Sequence, residues 1–239
     1  MNSYLSKYSL TIIIPAYNEE QNLESVTLPL LKIMKAKLQS FQIIIVNDGS
    51  IDNTASIADQ LASNHPNHVK VIHQLQNCGI GYSYLNALRD VQTDFVTWLP
   101  SDGEISTEGF TELLCNLDLN KVIVTYPEHH KFKRSFFRTL LSKTYSKIFN
   151  LSFKMNLKYY NGNSIFPTSI LKKQIVLSRR FAFNAEALIH VLKNENLSFI
   201  EKPFILEERF NGHSKAIRLD SFIDVLRSYL YLLKLYAFK

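Results

Sequence analysis

The sequence has little cysteine and no long hydrophobic run. Its two cysteines, Cys78 and Cys115, form no spaced pattern, so we expect free thiols in a reducing compartment. No apolar stretch approaches the roughly 18–20 residues that cross a bilayer. Residues 1–8 are polar and lack the apolar core of a signal peptide. These absences predict a cytoplasmic protein without a transmembrane anchor.

Repeats, low-complexity tracts and nucleic-acid-binding motifs are also missing from the sequence. The composition, 46% hydrophobic and 12% aromatic, predicts one well-packed domain with an appended subregion. The formal net charge is +6, and the basic excess lies after Lys121, among many aromatic residues. That distribution favours an anionic partner: a phosphorylated substrate, a membrane surface or, less well supported by motifs, a nucleic acid.

Strands and helices alternate through the first 126 residues. Short apolar runs predict five strands, at 10–14, 42–46, 69–73, 95–99 and 121–126. Segments with helical spacing or a helix start separate the first four, which predicts an α/β fold with a mostly parallel sheet and flanking helices. The chain divides into residues 1–126, which we assign to nucleotide-sugar binding, residues 127–216 on the acceptor side, and a C-terminal amphipathic helix at 217–239.

Polar residues follow each of the first four predicted strands. The carboxyl ends of parallel strands meet at one edge of a sheet, where ligands bind. We therefore expect one crevice that holds a nucleotide-type ligand, although each segment alone could be only a turn. The residues that converge there are Tyr17, Asn18, Glu19, Asp48, Asn77, Gly79, Gly81, Asp102 and Glu104.

Two carboxylates, Asp102 and Glu104, lie just past the fourth strand. They are costly to place there without a cation or a polar partner. Carboxylate oxygens suit Mg²⁺ or Mn²⁺, so the pair predicts a metal site. The alternative is a turn that caps the next helix, since Ser106 and Thr107 precede Phe110.

Two later segments predict amphipathic helices that combine apolar residues with basic or aromatic ones. Residues 131–149 place Arg134 and Arg138 one turn apart, which suits a phosphate group, and residues 217–239 carry a leucine-rich stripe. Both fit peripheral contact with an anionic membrane. The alternatives are a packed helix with a solvated basic edge for the first and a partner-packing or internal helix for the second.

Several motifs resemble the inverting GT-A glycosyltransferases of family 2, and most closely their dolichyl- or polyprenyl-phosphate sugar synthases. The matching segments are PAYNEE at 15–20, VNDGSIDNT at 46–54, NCGIGYS at 77–83 and RFNGHSK at 209–215. The last of these is more specific to the lipid-phosphate branch than the others. The resemblance covers about residues 10–215.

The resemblance implies roles by position. Nucleotide binding would involve Pro15, Tyr17, Glu19, Asp48, Asn77, Gly79, Asp102 and Lys215. Asp102, Glu104 and Arg209 would be catalytic, with Asp102 and Glu104 holding Mg²⁺ or Mn²⁺. Arg209 and Lys215 would neutralise the diphosphate of the donor. Glu186 would lie near the acceptor, or be a plain surface glutamate.

The sequence departs from the family at two positions. Pro100 stands where the first Asp of the Asp-x-Asp metal motif would be and cannot bind a metal. Lys158 lies near the position of an acceptor-side Asp. A phosphate acceptor is already anionic and needs no strong general base, which agrees with the loss of this acceptor-side carboxylate.

We therefore predict an inverting transferase that uses a UDP- or GDP-linked sugar, with a polyprenyl phosphate as acceptor at the cytoplasmic membrane face. The alternatives are transfer to a hydroxyl of a glycan or small molecule, and a degenerate protein that binds the sugar nucleotide without turnover.

Overall fold

A five-stranded sheet in the order β3-β2-β1-β4-β6 forms the centre of the fold. The computed structural model describes residues 6–106, 109–128, 136–195, 197–205 and 219–236, and the side chains at 136–138 and 219–220 are not among those described. The sheet strands are β1 (Leu10–Ala16), β2 (Phe41–Asn47), β3 (Val69–His73), β4 (Phe95–Trp98) and β6 (Phe166–Pro167). Strands β1 to β4 are parallel and β6 is antiparallel to β4, so the predicted α/β fold with a mostly parallel sheet is confirmed.

Helices cover both faces of this sheet. They are α1 (Leu23–Lys37), α2 (Thr54–Asn64), α3 (Ile80–Leu88), α4 (Phe110–Leu114), α5 (Phe136–Phe153), α6 (Thr168–Leu171), α7 (Phe183–Asn194) and α8 (Leu219–Tyr236). Consecutive strand residues point to opposite faces, so Ile12 and Ile14 join one core cluster and Ile13 joins the other. A strand buried on both faces reads as a continuous apolar run, which is why LTIII was recognisable in the sequence.

The first strand was predicted to end at residue 14, before Pro15, but β1 continues through Pro15 to Ala16. On the β4 side, pairing stops at Ile13 with Trp98, so no neighbour there requires the N–H that proline lacks. On the other side Pro15 remains in register with Val46.

A second, two-stranded parallel sheet pairs β5 (Lys121–Glu128) with β7 (Ser198–Ile205). The fifth predicted strand therefore exists but does not pair along its length with the first four. A single bridge between Ile123 and Ile165 connects it to the chain next to β6. Pro203 lies within β7, because a strand with one neighbour has an open edge where a missing N–H costs little.

The two cysteines are free thiols, as expected. Among the described residues, no helix is both long enough and apolar enough to span a bilayer.

Candidate functional site

The loops that follow β1 and β2 are hydrogen-bonded to each other. The backbone N–H of Asn18 donates to Ser50 Oγ at 3.0 Å, and Asn18 Oδ1 accepts the N–H of Ile51 at 3.0 Å. Asn18 has a positive φ of 55°, a conformation that asparagine tolerates better than most residues. The N–H of Glu19 donates to Thr54 Oγ1 at 2.8 Å. The PAYNEE and DGSIDNT segments are therefore joined by hydrogen bonds at one edge of the sheet.

Asp48, directly after β2, is hydrogen-bonded to the loop that follows β3. Its Oδ1 accepts the N–H of Cys78 at 2.7 Å and its Oδ2 accepts the N–H of Gly79 at 2.9 Å. Burial raises the pKa of the Asp48 carboxyl, whereas the two amides, the Ser83 hydroxyl and the Arg180 guanidinium act in the opposite direction. Asp48 is only 4% exposed, so few directions remain from which a ligand can approach it.

Gly79, in the loop after β3, and Gly81, in the first turn of α3, are required by a close approach of backbone. A Cβ on Gly79, whose φ is +95°, would lie 2.7 Å from the carbonyl oxygen of Arg179, and one on Gly81 would lie 2.7 Å from that of Arg180. The N–H of Tyr82 also donates to the Arg179 carbonyl at 3.0 Å. The loop is thus held between Asp48 and the 179–180 segment.

The Arg179–Arg180 contact was missed by sequence reasoning. These residues are about 100 positions away from the glycine loop, and no local pattern connects the two segments. The glycines indicate that something approaches closely, but the sequence does not say which backbone it is.

The loop after β4 carries the two predicted metal ligands. Ser101 Oγ donates to the Pro15 carbonyl at 2.9 Å, which ties this loop to the end of β1. Gly103, at φ 73°, forms the turn, and Asp102 Oδ1 accepts the N–H of Glu104 at 3.1 Å. Asp102 and Glu104 are partly buried on this turn. The structure therefore brings the ends of β1 and β4 together, as predicted.

The capping alternative for this turn involves Thr107, which lies outside the described residues. The helix α4 begins at Phe110 with Gly109 at its N-cap. Within the described residues, no group of three or more His, Cys, Asp or Glu side chains could hold a metal. The donor chemistry of Asp102 and Glu104 nevertheless fits a hard cation, provided that a ligand such as a diphosphate supplies further oxygens.

Glu186, the candidate acceptor residue, is fully buried on α7. Its Oε1 accepts the N–H of Leu177 at 2.7 Å, and its Oε2 accepts the N–H of Ser178 at 3.1 Å and the hydroxyl of Ser228 at 2.7 Å. Glu186 therefore connects α7 to the 177–178 loop and to α8, and it is not the surface glutamate of the alternative interpretation.

Three other candidates lie outside the described residues: Arg134, Arg209 and Lys215. Arg138 lies within α5, but its side chain is not among those described. Tyr17 is partly buried directly after β1, Pro15 is buried, and Asn77 is exposed beside the glycine loop. The predicted residues that the structure describes thus lie in the loops after four consecutive parallel strands.

This arrangement of fold and loops matches a known family. The family model described as glycosyl transferase family 2 matches residues 11–179, so the chain belongs to that family. The resemblance to it that the motifs predicted is confirmed.

Among similar proteins is a polyprenol monophosphomannose synthase from Mycolicibacterium smegmatis, 28% identical over 85% of this chain and 79% of its own length. A teichoic acid poly(glycerol phosphate) polymerase from Staphylococcus epidermidis is 26% identical over 93% of this chain and 29% of its own length. The chain spans less than half the length of several curated relatives that it matches.

The fold is also similar to solved structures. A glucosyl-3-phosphoglycerate synthase from Mycobacterium tuberculosis, in complex with Mn²⁺, UDP and phosphoglyceric acid, superposes with a TM-score of 0.71 at 15% identity. The match covers 95% of this chain and 79% of that one. At this identity the similarity establishes the GT-A fold.

Proposed function

We propose that the chain is a glycosyltransferase that moves a sugar, with inversion, from a nucleotide-sugar donor to a polyprenyl phosphate at a membrane surface. The observation that carries the proposal is that the loops after β1 to β4, which carry Tyr17, Glu19, Asp48 and the Asp102–Glu104 turn, are hydrogen-bonded to one another at one edge of the sheet. Membership in glycosyl transferase family 2 supports the reaction class.

The nucleoside of the donor would bind between the loops after β1 and β2 and the loop at 77–81. Asp48 would be the buried acceptor for the base. Because Gly79 and Gly81 have no Cβ, residues 79–81 can lie close to the 179–180 backbone. Pro15, Tyr17, Glu19 and Asn77 complete this part of the proposed site.

The diphosphate would lie at the Asp102–Glu104 turn, with Arg209 and Lys215 as proposed cationic partners. Asp102 and Glu104 would hold Mg²⁺ or Mn²⁺, which neutralises charge that develops on the leaving diphosphate. Two carboxylates form an incomplete ligand set, because Pro100 offers no side-chain oxygen. We therefore expect the cation to bind mainly together with the diphosphate.

The acceptor assignment is supported by the exposed side chains of α5 and α8. These helices contact each other through Phe149 and Tyr229, whose ring centroids are 5.2 Å apart, and through Ser152 Oγ and Tyr229 OH at 2.7 Å. Both helices expose large apolar side chains, which we call the α5/α8 apolar set: Leu140, Leu141, Ile148, Leu151, Phe222, Ile223, Leu226 and Leu230.

Basic residues accompany this apolar set. Lys143, Lys147 and Lys154 are exposed on or beside α5, and Arg227 and Lys234 are exposed on α8. Apolar side chains that enter the lipid together with cations that contact anionic headgroups are the features of a helix that lies on a membrane. A polyprenyl phosphate would then be reached from that surface, without a helix that crosses it.

A hydroxyl acceptor would need a carboxylate as general base, either Glu186 or another one. Both oxygens of Glu186 accept hydrogen bonds from the protein and the side chain is fully buried, which disfavours Glu186 as that base. An acceptor that is already anionic needs no such base. Arg134 and Arg138 remain proposed contacts for its phosphate group.

The test is to supply a panel of labelled nucleotide sugars with Mg²⁺ or Mn²⁺ and vesicles that contain undecaprenyl phosphate. We expect label to enter the organic phase as a mild-acid-labile lipid. Label that appears only in a water-soluble glycoside would exclude the lipid acceptor and retain the transferase. Nucleotide binding without any product, which the Pro100 substitution favours, would identify a degenerate binding protein.

A further inference from the structure

Two carboxylates from different helices hold the segment that precedes α7. Glu186 on α7 accepts the consecutive N–H groups of Leu177 and Ser178, at 2.7 and 3.1 Å. Asp224 on α8 accepts the Ser178 hydroxyl at 2.7 Å and the N–H of Ala182 at 3.4 Å. These bonds lie before and after the two arginines that approach the glycine loop, so that part of the chain is fixed at both ends.

The two arginines between these anchors meet the glycine loop through backbone atoms. The N–H of Tyr82 donates to the Arg179 carbonyl at 3.0 Å. A Cβ on either glycine, Gly79 or Gly81, would lie 2.7 Å from a carbonyl oxygen of the arginine pair. Backbone segments packed this closely cannot shift independently of each other. The position of the 177–182 segment therefore sets the position of the glycine loop.

The glycine loop is joined to the nucleotide site by Asp48, which accepts the N–H groups of Cys78 and Gly79. From these contacts we infer that Glu186 and Asp224 are positioning residues, which set the place of the donor-binding loop through the 177–182 segment. The inference rests on the proposed function, because it takes the glycine loop to bind the nucleoside of the donor. Since Asp224 lies on α8, the helix that is proposed to lie on a membrane also helps to hold this loop.

The test uses two variants that remove acceptor oxygens. Both oxygens of Glu186 accept hydrogen bonds, so Glu186→Gln loses at least one of them, because an NH2 group cannot accept. Asp224→Ala removes both oxygens of the other carboxylate. The matched control is Tyr236→Phe, which removes the hydroxyl that bonds to His190 and Asn194 and so weakens the contact of α8 with α7 at another place.

The first readout is the reactivity of Cys78, which lies within the glycine loop and is partly exposed. The other cysteine, Cys115, is exposed and is replaced by serine in every protein that is compared. We expect Cys78 to react with Ellman's reagent at least about three-fold faster in both test variants, because a loop that is less firmly held opens more often. The rate in Tyr236→Phe should equal that of the parent protein. Circular dichroism at the same temperature checks that each variant is folded.

The second readout is donor kinetics, measured with the sugar nucleotide that the labelled panel identifies and with acceptor vesicles in excess. In both test variants we expect the KM for the donor to rise at least about five-fold while kcat stays within about two-fold, the pattern of lost uniform binding. A merely structural role would lower the amount of folded enzyme, and with it the apparent kcat, and would leave KM unchanged.

The outcomes separate the inference from the proposed function. An unchanged Cys78 rate or an unchanged donor KM in the folded test variants would overturn the inference, and so would an equal rise of the Cys78 rate in Tyr236→Phe. If Glu186→Gln does not fold, Asp224→Ala decides. If the parent protein turns over no sugar nucleotide, the proposed function fails, and the Cys78 rates alone decide whether the two carboxylates hold the loop.

Discussion

Residues 1–120 carry 13 acidic and 6 basic side chains, whereas residues 121–239 carry 8 acidic and 21 basic ones. The net charges, −7 and +13, show how unevenly the overall +6 is distributed. Carboxylates of the acidic half accept backbone N–H groups of loops, as Asp48, Asp52, Asp94 and Asp102 do. In the basic half, many lysines point to solvent.

The two halves also differ in their exposed apolar side chains. Among the described residues, four large hydrophobic side chains are exposed before position 121 and eleven after it, eight of them in the α5/α8 apolar set. In the acidic half, carboxylates hold the loops that follow the parallel strands. The other half presents cations and apolar groups outward, which suits an anionic surface.

The largest effect should come from Asp102 in the acidic half. Asp102→Asn removes one of two carboxylates at the turn after β4, so we expect turnover to fall at least about 100-fold while the protein stays folded. Transfer of labelled sugar measures turnover, and circular dichroism measures whether the protein is folded. Glu24→Gln, an exposed substitution on α1, is the control that should leave turnover unchanged. Full activity of Asp102→Asn in EDTA would remove the metal assignment.

Gly79→Ala tests how tightly the glycine loop is packed. Its Cβ would meet the Arg179 carbonyl oxygen at 2.7 Å, and its φ of +95° disfavours alanine, so we expect the free energy of unfolding to fall by about 2–4 kcal/mol. Gly109→Ala is the matched control, because among the described residues no atom beyond its chain neighbours lies within 4 Å of its Cβ position. Urea denaturation of both variants measures the difference. Equal stabilities would mean that the close approach is not required.

Polar substitutions on α8 test whether the basic half binds a membrane surface. Replacing Phe222, Ile223, Leu226 and Leu230 together by serine should weaken binding to vesicles with anionic lipids by about 10–100-fold, because apolar area no longer enters the lipid. The control, Ile51→Ser with Leu75→Ser, removes two exposed apolar side chains from the acidic half and should not change vesicle binding. Co-sedimentation with vesicles measures both, and an equal loss in both would contradict the assignment.

The smallest effect concerns Asp52, which joins the loops after β1 and β2. It accepts the N–H of Thr54 at 3.0 Å and that of Glu20 at 3.3 Å. Burial would raise its pKa, but the hydrogen bonds from Thr54 and Glu20 outweigh burial and lower it. A lowered folded-state pKa adds stability above the unfolded value of 3.8, and this stability is lost as the pH falls through the folded value.

We therefore expect Asp52→Asn to cost about 0.5–1 kcal/mol at pH 7, a small value because the side chain is partly exposed to solvent. The cost should shrink below pH 3.8. Denaturant titrations at pH 7 and pH 3 measure it. A cost that does not depend on pH would show that the charge of Asp52 contributes nothing.

The sequence by itself determined the parallel strands and the edge of the sheet at which the candidate site residues lie. Buried parallel strands require continuous apolar runs, and the polar residues that end them must meet at one sheet edge, so LTIII, PAYNEE and the Asp102–Glu104 turn were recognisable locally. The bounds of the third strand, 69–73, also agree with β3.

Only the tertiary structure decided which distant segments meet. That β5 pairs with β7, that Arg179 and Arg180 contact the glycine loop, and that Glu186 is buried by α8 all depend on packing between residues far apart in the chain. Pro15 and Pro203 remain within strands because the neighbours around them do not require their missing N–H, and a local pattern contains no information about neighbours.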